Sequence, residues 1–80
     1  MYGIEYTEQA TADLHWFKKH EQQRIIDGIE QRLRYEPTVQ TRNRKLMRPN
    51  ATAAWELRIG DFRVLYDVDV QVRIVAIKRI

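Results

Sequence analysis

Two arginines, Arg58 and Arg63, flank the dipeptide Gly60-Asp61 in the stretch ELRIGDFRVLYDV, residues 56–68. If Gly60-Asp61 is a two-residue hairpin loop, Ile59 pairs with Phe62 and Arg58 lies directly opposite Arg63. Like charges facing each other across a hairpin are destabilising. Glu56 falls on the same face, and Arg79 joins it if the last strand keeps register. On one reading Glu56 neutralises one arginine and the other reaches into water. On the other reading the pair is a phosphate site. Two guanidiniums spread over a sheet surface can hold a phosphodiester bidentately and stabilise the extra charge of its transition state. The segment TRNRKLMRPN adds Arg42, Arg44, Lys45 and Arg48 in close succession, cations that would track a nucleic-acid backbone.

Other chemistry-bearing residues are sparse. His15 and His20 have no carboxylate or cysteine at a ligand spacing and read as surface residues. There is no Gly-rich phosphate loop and no nucleophile elbow. Trp55 and Tyr66 belong to the apolar face of their strands and read as core, whereas Trp16 lies off the Leu14/Phe17 stripe and is expected to be partly exposed. That position suits either the edge of the core or a protein partner. The absence of cysteine removes a disulfide framework and thiolate metal ligands, so neither a metal nor a cofactor is expected. The N-terminal MYGIEYTEQA has no basic n-region or apolar h-region, and apolar runs such as IVAI are short. A cytoplasmic protein with no membrane partner is expected.

The elements that must position these residues follow from periodicity. Residues 2–6, YGIEY, alternate like a short strand. Thr7 suits an N-cap, with Glu8 in the first turn, and Ala10, Leu14 and Phe17 form the stripe of a helix over about 8–20. A second helix is predicted over about 22–36, with Ile25, Ile26, Ile29 and Leu33 inward; Gly28 weakens it by up to about 1 kcal/mol, and Pro37 ends it. Strands follow at about 54–59, 62–68 and 71–78. Trp55, Leu57 and Ile59 share an apolar face with Phe62, Val64 and Tyr66, and Gly60 supplies the positive φ of a type II′ turn. Asp69 turns the chain into the last strand, where Val72, Ile74 and Ala76 extend the core and Leu65, Val75 and Ile77 are left as an apolar strip outside. Eighty residues make one domain, 1–80, of α+β class: two N-terminal helices on one face of a mainly antiparallel four-stranded sheet. Charge divides along the chain. Residues 1–41 carry five Lys/Arg against seven Asp/Glu, and residues 42–80 carry nine against four, so the second half should hold any anion-binding surface.

This order of elements resembles the RelE/ParE superfamily of type II toxin–antitoxin toxins, as do KLMRPNATAAWELRIGDFRVLYDV, residues 45–68, and VRIVAIKR, residues 72–79. Members show a Lys-Leu near a turn, a Leu-Arg-x-Gly-x-Tyr/Phe-Arg-Val/Leu-x-Tyr hairpin, and an apolar strand closing in basic residues. The resemblance implies one of two activities: RelE-like members cleave mRNA in the ribosomal A site, and ParE-like members poison DNA gyrase. Both are neutralised by a cognate antitoxin. For RNA cleavage the 2′-hydroxyl attacks the adjacent phosphorus, which calls for a base, an acid and cationic stabilisation. Arg63 matches the hairpin arginine that RelE-like enzymes place on the scissile phosphate, and Arg79 or Lys78 matches the basic cluster after the last strand. The best-known ribosome-dependent members carry two lysines on the first hairpin strand and a base-stacking tyrosine after the last; here the former positions are Ala54 and Glu56, and the sequence ends at Ile80. Glu56 is then the candidate base, and Lys45 the candidate acid or phosphate anchor. The expected activity is ribosome-dependent mRNA cleavage, with gyrase inhibition or a non-catalytic nucleic-acid-binding or adaptor role as alternatives. The antitoxin is expected to set carboxylates against Arg58, Arg63 and Arg79 and to cover the apolar strip.

Overall fold

The computed structural model describes residues 1–80, in the order β1 (Gly3–Tyr6), α1 (Glu8–His15), α2 (Lys19–Leu33), β2 (Arg44–Leu46), β3 (Trp55–Ile59), β4 (Phe62–Asp69) and β5 (Ile74–Arg79). The sheet runs β1-β5-β4-β3-β2, with β1 parallel to β5 and every other pair antiparallel. It therefore has five strands where four are expected. The extra one is β2, which lies in the basic segment read from sequence as irregular. Only three residues pair there (Arg44↔Leu57, Lys45↔Glu56, Leu46↔Trp55), too few for period-2 alternation to show.

The β3–β4 hairpin has the expected register, Ile59↔Phe62 and Arg58↔Arg63. Gly60 has φ 58°, and Asp61 has no positive φ, which is the signature of a type II′ rather than a type I′ turn. Leu57, Val64 and Tyr66 are fully buried beneath the helices. Trp55 stacks on Tyr66 at 6.1 Å, and the Tyr66 hydroxyl donates to the Pro37 carbonyl at 2.7 Å, which ties the chain beyond α2 to the core.

Each helix start departs from or obeys its expected boundary for a local reason. Thr7 caps α1, its Oγ1 accepting from the Ala10 amide at 3.1 Å and donating to the Ile77 carbonyl at 3.0 Å. The expected helix 8–20 stops at His15, because Trp16 and Phe17 close a tight turn onto the Asp13 and Leu14 carbonyls. Lys19 and His20 therefore open α2, which spans 19–33 rather than 22–36, and His20 does not share a helix with His15. The turn brings Phe17 edge-on to Phe62, with ring centres 5.3 Å apart. Ile25, Ile29 and Leu33 are fully buried.

The faces of β5 are opposite to those expected. Val75 and Ile77 are fully buried and Val72 is exposed, so Val75 and Ile77 are core and do not form an outer strip. The Asp69–Arg73 turn, with Arg73 at φ 59°, pairs Asp69 with Ile74 and so sets Val75 opposite Val68 and Ile77 opposite Tyr66; the register shift at Leu65/Tyr66 then brings Arg79 opposite Leu65 on the outer face. Leu65 alone of that strip faces outward. No helix is long and apolar enough to cross a membrane.

Candidate functional site

On the sheet face away from the helices, the register sets Lys45, Glu56, Leu65 and Arg79 in a row across four strands. The next row toward the hairpin turn holds Arg58 and Arg63. Glu56 occupies the centre. It is 7% exposed, an unusual burial for a carboxylate on an outer face, and its Oε1 lies 3.5 Å from Arg58 Nε. Two concavities meet at it. One, of about 150 Å³, is lined by Arg42, Asn43, Lys45, Glu56 and Arg58 and is wholly polar. The other, of about 470 Å³, is lined by Glu56, Arg63 and Arg79 together with Met47, Thr52 and Leu65, among others.

The arginines differ in how far they are committed. Arg79 donates from Nε and Nη2 to the two carboxylate oxygens of Asp13 in α1, at 2.7 and 3.2 Å, and the Ile80 amide adds a third bond at 3.1 Å. The Arg79 guanidinium, more than its other neighbours, holds the Asp13 carboxyl below its ordinary value. Arg58 is loosely paired with Glu56, and 3.5 Å is beyond good hydrogen-bond length. Arg63 has no carboxylate partner and is exposed. The facing arginines are thus relieved on one side only.

Other candidates lie elsewhere. Arg44 shares the face of Leu57, and its guanidinium donates to the Arg32 carbonyl in the last turn of α2, where a cation suits the helix dipole. It is a structural tie rather than part of the outer basic face. Arg48 lines a separate groove with Leu46, Pro49 and Asp67. Lys78 lines neither cavity at Glu56; its carbonyl accepts from Thr7 Oγ1 at 3.2 Å. The structure therefore gathers Arg42, Lys45, Glu56, Arg58, Arg63 and Arg79, and leaves Arg44, Arg48 and Lys78 outside. Sequence reasoning missed Asp13, Met47 and Thr52. Asp13 is 66 residues from Arg79, and no local pattern links the two. Met47 and Thr52 come from the loop closed by Asn50, whose side-chain oxygen accepts from the Thr52 and Ala53 amides.

Residues 4–80 match the model of the ParE toxin of type II toxin–antitoxin systems. The chain belongs to this toxin family. Its fold is also that of solved RelE-type structures, as the superfamily resemblance implied. A chain of the RelBE2 toxin–antitoxin complex from Mycobacterium tuberculosis aligns with TM-score 0.84 and 27% identity over 98% of this chain and 93% of the other. A chain of the archaeal RelE–RelB complex from Pyrococcus horikoshii OT3 aligns with TM-score 0.76 and 21% identity, over 98% and 90%. A search of curated proteins returned no match. In this toxin the hairpin that carried the resemblance, Leu57 to Tyr66, contributes Arg58 to the smaller concavity at Glu56 and Arg63 and Leu65 to the larger.

Proposed function

We propose that the toxin stops translation by cutting mRNA, with Glu56 as base and Arg58 and Arg63 on the scissile phosphate. The observation that carries this reading is the nearly buried Glu56 carboxylate flanked by a free guanidinium on one side and a cationic pocket on the other. Glu56 takes the proton of the 2′-hydroxyl as its oxygen bonds to phosphorus. The two arginines meet the added charge on the non-bridging oxygens, which is where preorganised donors lower a barrier most. The P–O5′ bond breaks, and the 5′-oxygen receives a proton from Lys45, leaving a 2′,3′-cyclic phosphate and a 5′-hydroxyl. Arg42 extends the cationic surface along the strand. Arg79, bound to Asp13, forms the far wall rather than a free phosphate ligand.

The partner in this reading is a cognate antitoxin, since the Mycobacterium tuberculosis neighbour is a chain of a toxin–antitoxin complex. Its carboxylates would cover Arg58 and Arg63, the least neutralised cations of the face. A second reading, inhibition of DNA gyrase, is supported by the ParE description of the matching family and by Ala54 and Glu56 standing where ribosome-dependent members have lysines.

Induced expression separates the two. The expected outcome is arrested protein synthesis with mRNA cut at codon-defined positions; an SOS response with cleaved DNA would instead establish the gyrase reading. Arg63→Ala should abolish toxicity and leave the circular dichroism unchanged, because an exposed, unpaired arginine contributes less than about 1 kcal/mol to stability. Full toxicity of that variant would remove Arg63 from the site.

A further inference from the structure

Trp16 is 89% exposed, in a protein small enough that a buried tryptophan would add a large share of its core. The residues around it in sequence, His15, Lys18, Lys19 and His20, are exposed as well. Lys18 is the N-cap of α2, and Lys19 and His20 are its first helical residues. Both placements run against local preference. N-caps favour Ser, Thr, Asp or Asn, and basic groups at a helix N-terminus face the positive end of the macrodipole. In α1 the same requirements are met, with Thr7 as cap and Glu8 in the first turn. In α2 the work falls to Glu21, whose Oε1 accepts from the Lys18 amide at 2.9 Å. An unburied tryptophan and two lysines at the wrong end of a helix coincide on one turn. Glu21 compensates for the cap but not for the exposed tryptophan, and local rules broken together at one turn mark a position kept for another purpose.

An exposed aromatic face beside clustered cations is the composition that binds unpaired nucleotides: bases stack on the ring and phosphates meet the ammonium groups. The turn also adjoins the wall of the larger cavity at one point. Asp13, in the last turn before Trp16, holds Arg79 at the wall of the larger cavity. A strand that leaves the larger cavity past Arg79 can therefore continue onto this turn. We propose that the α1–α2 turn is a second RNA contact, where an unpaired base stacks on Trp16 and Lys18 and Lys19 hold the flanking phosphates. The proposal rests on RNA being the target, as in the preceding section, and names a surface that the candidate site does not include. The net negative balance of residues 1–41 conceals it, although the two acidic residues nearest the turn are engaged, Asp13 by Arg79 and Glu21 by the Lys18 amide.

The test is a fluorescence titration of the toxin with a single-stranded RNA of about ten nucleotides, a length that spans one such platform and its neighbours. The RNA is 2′-O-methylated throughout, so that it cannot be cut. Trp55 is stacked on Tyr66 and half-buried, so the solvent-exposed emission belongs to Trp16. RNA should quench that emission, and Trp16→Ala should lose the quenching and bind about tenfold more weakly. Removing both ammonium groups by Lys18→Ala and Lys19→Ala should reduce the slope of log affinity against log salt by about 1.4. Lys18→Asp should raise the thermal midpoint, as a better N-cap, and yet weaken RNA binding. Unchanged affinity in Trp16→Ala or in Lys18→Asp would overturn the proposal. Quenching by polyglutamate as strong as by RNA would also overturn it and assign the turn to an acidic protein partner. The two readings fail separately. Arg63→Ala should leave Trp16 quenching in place, so a toxic Arg63→Ala with intact quenching defeats only the cleavage site. Arg63-dependent mRNA cutting without quenching defeats only this proposal.

Discussion

Glu56 and Asp13 are both carboxylates held against arginines, and the difference between them decides which guanidinium is free. Asp13 takes two oxygens' worth of hydrogen bonds from Arg79 and one from the Ile80 amide, whereas Glu56 meets Arg58 only at 3.5 Å. The facing of Arg58 and Arg63 was legible in the sequence because a two-residue loop at Gly60-Asp61 sets Ile59 against Phe62 and so fixes the register. The Asp13–Arg79 pair was not, because nothing local connects the end of the first helix to the last strand. Its consequence is measurable in acid. The carboxyl of Asp13 is held below the ordinary aspartate value, chiefly by the hydrogen bond from Arg79, so its folded pKa lies below its unfolded one. Such a group stabilises the fold fully above the unfolded value, about 3.9, and loses that contribution as pH falls through the folded value. Asp13→Asn should therefore lower the urea midpoint at pH 7, with the gap to the parent protein closing as pH drops below about 4. A gap that persists unchanged at about pH 2 would show that the charge of Asp13 is not what holds β5 to α1.

At the scale of elements, Gly28 shows how a correct local reading can carry the wrong sign. By helix propensity alone, Gly28→Ala should stabilise α2 by about 1 kcal/mol. In the fold, a Cβ at this position would stand 2.5 Å from Ile59 Cδ1, 2.8 Å from Cγ1 and 3.0 Å from Cγ2. Because three atoms of Ile59 are involved, rotating its terminal methyl cannot relieve the overlap. Overpacking of this kind costs about 1–3 kcal/mol, so the substitution should be destabilising on balance. Ile59 sits between Arg58 and the Gly60 turn, and pushing it outward would displace the hairpin that presents both arginines. Urea unfolding of Gly28→Ala should show a loss, partly restored by adding Ile59→Val; a gain in stability would mean that α2 can lift from β3 without cost. The helix boundaries and the faces of β5 escaped the sequence for related reasons. Lys18 carries no N-cap signature, so the break at Trp16–Phe17 left no mark in the residue types. In IVAI both alternating sets are apolar, so period alone could not choose between Val75/Ile77 and Ile74/Ala76. The choice was made by the Asp69–Arg73 turn, which sets Val75 opposite Val68 and Ile77 opposite Tyr66.

For the whole molecule, the sheet order separates what must be rigid from what can move. β4 is central, paired along its length to β3 and β5, and Val64 and Tyr66 lie fully buried between these neighbours and the helices. β2 is an edge of three paired residues, and Lys45 and Leu46 are exposed. The loop that follows it is held mainly by its own Asn50 turn, by the Met47 amide on the Ala54 carbonyl, and by Asp67, which accepts from the Ala54 amide at 2.7 Å. Free energies of opening within one protein range from near zero at such edges to the global value in the core. Both walls of the candidate site follow this division: Arg58 and Arg63 stand on the rigid hairpin, and Lys45, Met47 and Thr52 come from the edge. Under the proposed mRNA-cutting reading, opening β2 would admit or release a strand without unfolding the hairpin, a use of the low-stability part of a fold that binding surfaces commonly make. Native-state hydrogen exchange should find the amides of Val64, Tyr66, Val75 and Ile77 the slowest, exchanging only through global unfolding. Those of residues 44–54 should exchange through a local opening that is insensitive to low concentrations of denaturant. Amides of Lys45 and, just beyond β2, Met47, the positions that face the β3 side of the ladder, as slow as that of Tyr66 would make β2 an integral part of the core, and the basic wall of the site would then be fixed in place.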